Sequence, residues 1–313
     1  MNTTDFKHIY GPVPSRRLGR SLGVDVVPYK VCSYDCVYCQ LGRTTELARR
    51  PRELTPADAV LSELKAWVEA GGQADYVTFS GSGEPTLHSG LGEMIHAAKD
   101  MASIPVALIT NGSLLDNPRI REAALAADVL LPSLDAGTEK VFRKVNRPAA
   151  GIGFDSMVAG LTCVAREFTG QVWLEIMLVD GINDSDDELY AMREIIKTID
   201  LDRLQINTVE RPSRSGNARR VSIDTLARAS RILKGGAEVI ACGRIAPGDD
   251  RAWRQVENDL LNLLERRPCT MEDILAVSGR TPHEILKHIQ RLTAEGLVEA
   301  VGAVDPYYRR AGS

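Results

Sequence analysis

Long apolar runs are missing from this 313-residue chain. No stretch of about 18 apolar residues occurs, which argues against a membrane-spanning helix. Residues 1–10 are polar and mixed in charge, with no apolar signal core, so a cytoplasmic protein without membrane attachment is expected. Net charge is scarce too: 38 basic against 42 acidic residues leave −4. There is no global basic field to gather nucleic acid or anionic membrane, although local patches remain open. No low-complexity segment or repeat of fixed period stands out. Cysteine is sparse, and its distribution argues against a disulfide framework: three of the six stand together and the others singly.

What is present is an ordinary globular composition, 44% hydrophobic and 26% charged, on a chain long enough for one large domain and a small one. The clustered cysteines lie in Cys32-Ser-Tyr-Asp-Cys36-Val-Tyr-Cys39. Three thiolates on so short a segment can converge on one inorganic centre. A closed structural zinc site wants four ligands, usually from a second Cys pair, whereas Cys163, Cys242 and Cys269 each stand alone. Three ligands are more natural here than four, and on a [4Fe–4S] cube they leave one iron open.

Around that motif the chain alternates. Residues 22–27 read as a short strand feeding the cysteine loop, 55–70 as a helix capped by Thr55 with Pro56 first, and 76–79 as a buried strand. Further strands are expected at 106–109, 129–131, 172–179 and 204–206, with helical patterns between them. Strands alternating with amphipathic helices argue for βαβ units and a parallel sheet. About six units are too few for a full eightfold barrel and suit a partial one, in which chemistry gathers at the C-terminal strand ends.

Polar and glycine motifs stand at those ends: Gly81-Ser-Gly83-Glu84-Pro85, Thr110-Asn111-Gly112 and Ser133-Leu-Asp135. Glycine admits a close ligand, and a carboxylate can pair with an ammonium group. Glu175 stands in an otherwise apolar strand and needs a partner, either a ligand or one of the arginines. Asn207 ends the sixth strand. Arg16 and Arg17 upstream, and Arg211, Arg214, Arg219 and Arg220 downstream, suit contact with an anionic group at the cleft mouth.

From about residue 253 the alternation stops. Helical segments at 256–265, 271–277 and 282–294, a turn at Ser278-Gly279 and a strand-like wing at 296–301 look like a winged helix. The expected division is 1–250 and 251–313, with a linker near 247–250. In the last helix Ile285, Leu286, Ile289 and Leu292 form an apolar face, and His283, Lys287, Gln290 and Arg291 are expected to face out. From residue 252 onward there are eight basic and nine acidic residues, so the segment reads as a docking module for a peptide, protein or tRNA and not as a general nucleic-acid binder.

The pattern CxxxCxΦC, with Tyr38 in the aromatic place, resembles the cluster motif of the radical S-adenosylmethionine (radical SAM) superfamily. The Gly-Pro-Val-Pro-Ser-Arg-Arg-Leu-Gly stretch, Gly83-Glu84-Pro85-Thr86, residues 173–184 and Asn207 with Arg211-Pro212 are similar to the prokaryotic group related to the wyosine-base synthase of tRNA. The resemblance spans roughly residues 10–240 and leaves out the winged helix. It implies an α/β fold, a partial (β/α)6 TIM-like barrel, with a [4Fe–4S] cluster on Cys32, Cys36 and Cys39. It further implies S-adenosylmethionine held by residues such as Tyr38, Gly83, Glu84, Thr110, Asn111, Ser133, Asp135, Glu175 and Asn207. One electron from a flavodoxin- or ferredoxin-type donor would cleave the cofactor to a 5′-deoxyadenosyl radical, which would act on a second, anionic substrate. The alternative is a non-catalytic iron–sulfur sensor that regulates transcription through the winged helix. The strand-end motifs favour the enzyme.

Overall fold

The computed structural model describes residues 6–209, 218–233, 237–240, 251–278, 280, 282–301 and 307–311. Arg211, Arg214, Cys242 and the expected linker at 247–250 fall outside them. The chain begins with a hairpin of β1 (Ile9–Ser15) and β2 (Gly19–Asp25), then passes through two short paired strands, β3 (Val31–Cys32) and β4 (Glu46–Leu47), that frame the cysteine loop. Helix and strand then alternate as α1 (Ala57–Glu69), β5 (Tyr76–Ser80), α2 (Leu91–Met101), β6 (Val106–Thr110), α3 (Pro118–Leu125) and β7 (Val129–Pro132). There follow α4 (Glu139–Val145), α5 (Phe154–Glu167), β8 (Gln171–Leu178), α6 (Asp186–Ile196), β9 (Arg203–Thr208), α7 (Ile223–Leu233) and β10 (Glu238–Val239).

The main sheet runs β1-β2-β5-β6-β7-β8-β9-β10. Every neighbouring pair from β2 to β10 is parallel, and only β1 runs the other way. This is the partial TIM-like barrel, with helices on its outer face, as consecutive βαβ crossovers require. Alternate residues of one strand serve two cores. Val106 and Leu108 pack outward under the helices, whereas Ala107, Val129, Leu131 and Trp173 gather inside around Leu18 of the β1–β2 turn. That turn spans the open side of the curved sheet: the Arg16 guanidinium donates to the Ile240 carbonyl beyond β10 at 3.2 Å.

Two local expectations shift. Helix α1 starts at Ala57 with Pro56 at its cap and no side-chain cap bond, because proline at the cap position carries no side-chain oxygen to accept the N–H groups of the first turn. Strand β1 carries Pro12 and Pro14, which an edge strand tolerates.

The C-terminal segment gathers α8 (Arg251–Arg266), α9 (Met271–Ser278), α10 (Pro282–Ala294) and the hairpin of β11 (Val298–Val301) and β12 (Tyr307–Arg310) around its own core of Val256, Leu260, Leu264, Ile274, Ile285, Ile289 and Leu292. Helix α10 also packs on β1. Gln290 is therefore buried and not outward as expected: its amide donates to Gln40 Oε1, and neighbouring Arg291 is clasped by the Glu257 carboxylate. A second packing partner overrides the helix's own polar face. Among the described residues no helix is long and apolar enough to cross a membrane.

Candidate active site

Strand β2 ends in Asp25, and its carboxylate accepts from both the N–H and the hydroxyl of Ser82, at 3.0 and 2.5 Å. Burial pushes this carboxyl up to about 6 against those bonds. The clamp holds the Gly81-Ser-Gly-Glu84 loop against the segment that enters the cysteine loop. Lys30 N donates to Ser82 O at 2.7 Å and Glu84 N to Val31 O at 3.1 Å. Gly83 must be glycine for this approach, since a Cβ there would come within 1.9 Å of the Val31 carbonyl oxygen.

Glu84 is 2% exposed. Its Oε1 accepts from Thr86 N–H at 3.1 Å and from the hydroxyls of Thr86 and Thr110 at 2.6 Å, and its Oε2 from Asn111 N–H at 2.8 Å. Burial raises its pKa and these bonds oppose the rise. Asp135, beyond the end of β7, has the matching role two strands along the sheet. Its Oδ2 accepts from the Tyr38 hydroxyl and from Asn146 Nδ2 at 2.8 Å, its Oδ1 from Met177 N–H at 2.9 Å. Tyr38 thus ties the cysteine loop to the sheet. Burial raises the pKa of Asp135 as well.

Each cysteine sulfur faces its own nitrogen donor. Asn111 Nδ2 lies 3.6 Å from Cys32 Sγ and 2.8 Å from the Ser33 hydroxyl. Asn146 Nδ2 lies 3.5 Å from Cys36 Sγ, and Lys30 Nζ 3.0 Å from Cys39 Sγ. Lys30 and Asn146 were not singled out by the sequence. Lys30 is only 3% exposed and sits at φ 60°. Burial works against its charge, but Cys39 first, then Cys32 and Cys36, outweigh burial and raise its pKa. Burial pushes the Cys32 thiol up to about 12 and drives Cys36 well above the usual thiol range.

Among the described residues no three His, Cys, Asp or Glu side chains close around a single metal ion. The cysteines stand instead as separate corners, near enough for each charge to be felt by the others. This donor set fits an iron–sulfur cluster, which takes each thiolate on its own iron and is tuned by hydrogen bonds to sulfur. Cys163 lies apart on α5, and Cys269 pairs by backbone with Tyr308 in the C-terminal segment.

Deeper in the barrel Glu175 takes the arginine of its two expected partners. Arg17 Nη1 meets its Oε2 at 2.5 Å with both side chains less than a fifth exposed, and Asn207 Nδ2 donates to its Oε1 at 3.2 Å. Ser133 is half-buried beside them, its N–H on Thr110 O at 3.2 Å. Two buried polar atoms at this end lack a partner among the described residues: the Tyr34 hydroxyl, which feels the charges of Cys36, Glu84, Asp135 and Cys32, and Gln205 Oε1 on the same strand face as Asn207. Such atoms call for a ligand or water. The fold therefore places a trio of thiols and a ring of buried polar groups at the C-terminal ends of a partial barrel.

That class of protein is the one the comparisons return. A family model described as the radical SAM superfamily matches residues 26–192. A UPF0026 protein of Helicobacter pylori strain J99 is 30% identical over 305 residues, covering 96% of both chains. A protein of Brachyspira hyodysenteriae named GTPase Obg is 36% identical over 307 residues, 96% of this chain, which spans 45% of that relative's length. Among solved structures, TYW1 with a lysine-pyruvate adduct bound superposes with a TM-score of 0.53 at 19% identity, over 70% of this chain and 74% of that one, a likeness of fold. The chain belongs to the radical SAM superfamily, and it is an enzyme of that superfamily.

Proposed function

We propose that Cys32, Cys36 and Cys39 hold a [4Fe–4S] cluster and that the strand-end groups hold S-adenosylmethionine beside it, for reaction with a second substrate. The observation that carries this reading is the arrangement of one nitrogen donor on each sulfur, from Asn111, Asn146 and Lys30. When bound, the cluster supplies the electron for reductive cleavage of the cofactor's sulfur–carbon bond. The residues bind and orient. Glu84 offers Oε2, which accepts only from Asn111 N–H among the described residues, to the cofactor's ammonium group. Thr110 and Asn111 fix that carboxylate, while Gly83 lets the backbone come close. Ser133 and Asp135 border the ribose or carboxylate end, Asp135 chiefly through Tyr38 and the loop that Tyr38 holds. Glu175 and Asn207, with Gln205 and its unpartnered Oε1, line the floor, and the buried surroundings exclude water from the reacting centre.

The second substrate is proposed to be anionic, met by Arg211 and Arg214 beyond β9, with a modified tRNA base as one candidate. Arg16 and Arg17 belong to the same proposal through the hairpin turn, where they already engage Ile240 and Glu175. The C-terminal segment is proposed to be a winged helix used for docking, within a cytoplasmic enzyme. The sensor alternative would need α10 to read DNA, and α10 packs on β1.

The test is anaerobic reconstitution with iron and sulfide, addition of dithionite and S-adenosylmethionine, and chromatography for 5′-deoxyadenosine. Slow formation is expected without the second substrate. Full iron loading with no 5′-deoxyadenosine would overturn the reading.

A further inference from the structure

The cysteine sulfurs face the strand-end groups Asn111 and Asn146, and two loop segments that carry arginine, 40–53 and 146–151, are bonded to the backbone of the cysteine loop. Residues 40–53 carry Arg43, Arg49, Arg50 and Arg52 against Glu46 and Glu53, in a chain whose net charge is −4. Glu46 is already paired with Arg52 at 2.5 Å. The Asp35 carboxylate accepts Thr44 N–H at 2.7 Å. Arg43, Arg49, Arg50 and Arg147 are all exposed, and among the described residues none of the four is in an ion pair.

These arginines are fastened to the cysteine loop through the backbone. Ala48 N–H donates to Cys32 O at 2.9 Å and is followed by Arg49. Gly42 N–H donates to Cys39 O at 3.2 Å and is followed by Arg43. The Arg147 carbonyl itself accepts Asp35 N–H at 3.2 Å, next to Asn146 on Cys36. Arg49 lies over Gly151, where a Cβ would come within 3.3 Å of its Cζ, which brings the 40–53 loop onto the 146–151 loop. A cationic rim of four exposed guanidinium groups, none in an ion pair among the described residues, thus stands on the segments attached to the loop that holds the three thiols.

We propose that this rim is the docking surface for an acidic one-electron carrier protein of the flavodoxin type. The inference rests on the assignment of a cluster to Cys32, Cys36 and Cys39. The step is an outer-sphere transfer: the carrier's reduced flavin loses one electron, the cluster gains it, and no bond is made or broken. A carrier must bring its redox group near the cluster without filling the barrel, and these exposed arginines stand on segments bonded directly to the backbone of the cysteine loop. Charge complementarity steers the encounter, against a chain that otherwise repels an acidic partner.

The experiment uses the full-length, cluster-loaded enzyme and a purified bacterial flavodoxin, photoreduced, with dithionite as the reductant that needs no docking. In R43E/R49E/R50E/R147E, the flavodoxin-driven rate of 5′-deoxyadenosine formation is expected to fall by about tenfold or more at low ionic strength. The dithionite-driven rate should stay within about twofold of wild type. In the wild type the flavodoxin-driven rate should also fall from roughly 50 to 500 mM salt, a measurement that needs no variant. An unchanged flavodoxin-driven rate in the variant, or a wild-type rate indifferent to salt, would overturn the inference. So would a variant that loses tRNA binding over the same salt series but keeps its flavodoxin-driven rate, which would assign the rim to nucleic acid. Failure of dithionite to drive the wild type would instead overturn the underlying cluster assignment.

Discussion

The two halves of the site are built on opposite principles. On the sulfur side, three thiols from one short loop each meet one side-chain nitrogen: Cys39 that of Lys30, Cys32 that of Asn111 and Cys36 that of Asn146. On the carboxylate side, Glu84 and Asp135 are each held by several donors and stitched into the sheet. The sulfur side is thus open to an added group, whereas the carboxylate side is a finished scaffold that presents one edge. Loss of a sulfur should therefore remove the cofactor and spare the fold. Loss of a carboxylate should damage the fold first.

The largest expected effect tests the first half of that contrast. Cys32→Ala, Cys36→Ala and Cys39→Ala should each lose most of the reconstituted iron, and Cys163→Ala and Cys269→Ala should keep it, with all five folded by circular dichroism. Equal iron loss in Cys163→Ala would break the assignment. Next comes Glu84→Ala, which strands the Asn111 and Thr86 N–H groups and two hydroxyls in the interior. Buried unpaired groups cost about 1–3 kcal/mol each, partly relieved by water, so a loss of roughly 3 kcal/mol or more is expected in urea unfolding. A variant as stable as wild type would show that Glu84 does not brace the strand ends.

Which features of the molecule were readable beforehand follows from range. Cys32, Cys36 and Cys39 were legible as neighbouring thiols because they stand on one short loop, close in sequence. Glu84, Asn111 and Asp135 were legible because they follow successive strands, and in a partial barrel strand ends converge. Asn146 was not, since it caps α4 and lies 110 residues from Cys36. Lys30 reads as one more loop lysine, and only a buried position at positive φ marks it out. Glu175 needed a partner on any reading, yet its choice of Arg17 depended on the β1–β2 turn reaching into the barrel. The β1 edge strand was hidden by its prolines, and the burial of Gln290 by the packing of α10 on β1, which the periodicity of one helix does not report.

Asp25 gives a test of intermediate size, through pH. Its pKa is 3.8 ordinarily and about 6 in the fold, so the native state holds the proton more tightly than the unfolded chain. The favourable contribution is complete below pH 3.8 and is lost as pH rises through 6, which makes ionised Asp25 a cost of about 3 kcal/mol at neutral pH. D25N removes that titration. The stability of wild type relative to D25N should therefore decline between pH 4 and 7, and a difference that rises or stays flat would contradict the buried, desolvated carboxylate.

Lys30 should give the smallest effect and the most specific one. Its ammonium is the only full positive charge hydrogen-bonded to a cysteine sulfur among the described residues, at 3.0 Å from Cys39. A fixed cation beside a cluster stabilises the reduced form, which carries one more negative charge, and so raises the reduction potential. Lys30→Met keeps the length of the side chain and its apolar stem but removes the charge. The loaded variant should retain iron close to wild type, because three thiolates remain. Its midpoint potential, from a redox titration followed by electron paramagnetic resonance, should move to more negative values by roughly tens of millivolts, given the effective dielectric that charge pairs show even at buried protein sites. Asn146→Ala removes a neutral donor and should move it less. A potential unchanged in Lys30→Met, or shifted equally by Asn146→Ala, would mean that the lysine acts on Cys39 as one more packing contact and that the sulfur side is tuned by its surroundings as a whole.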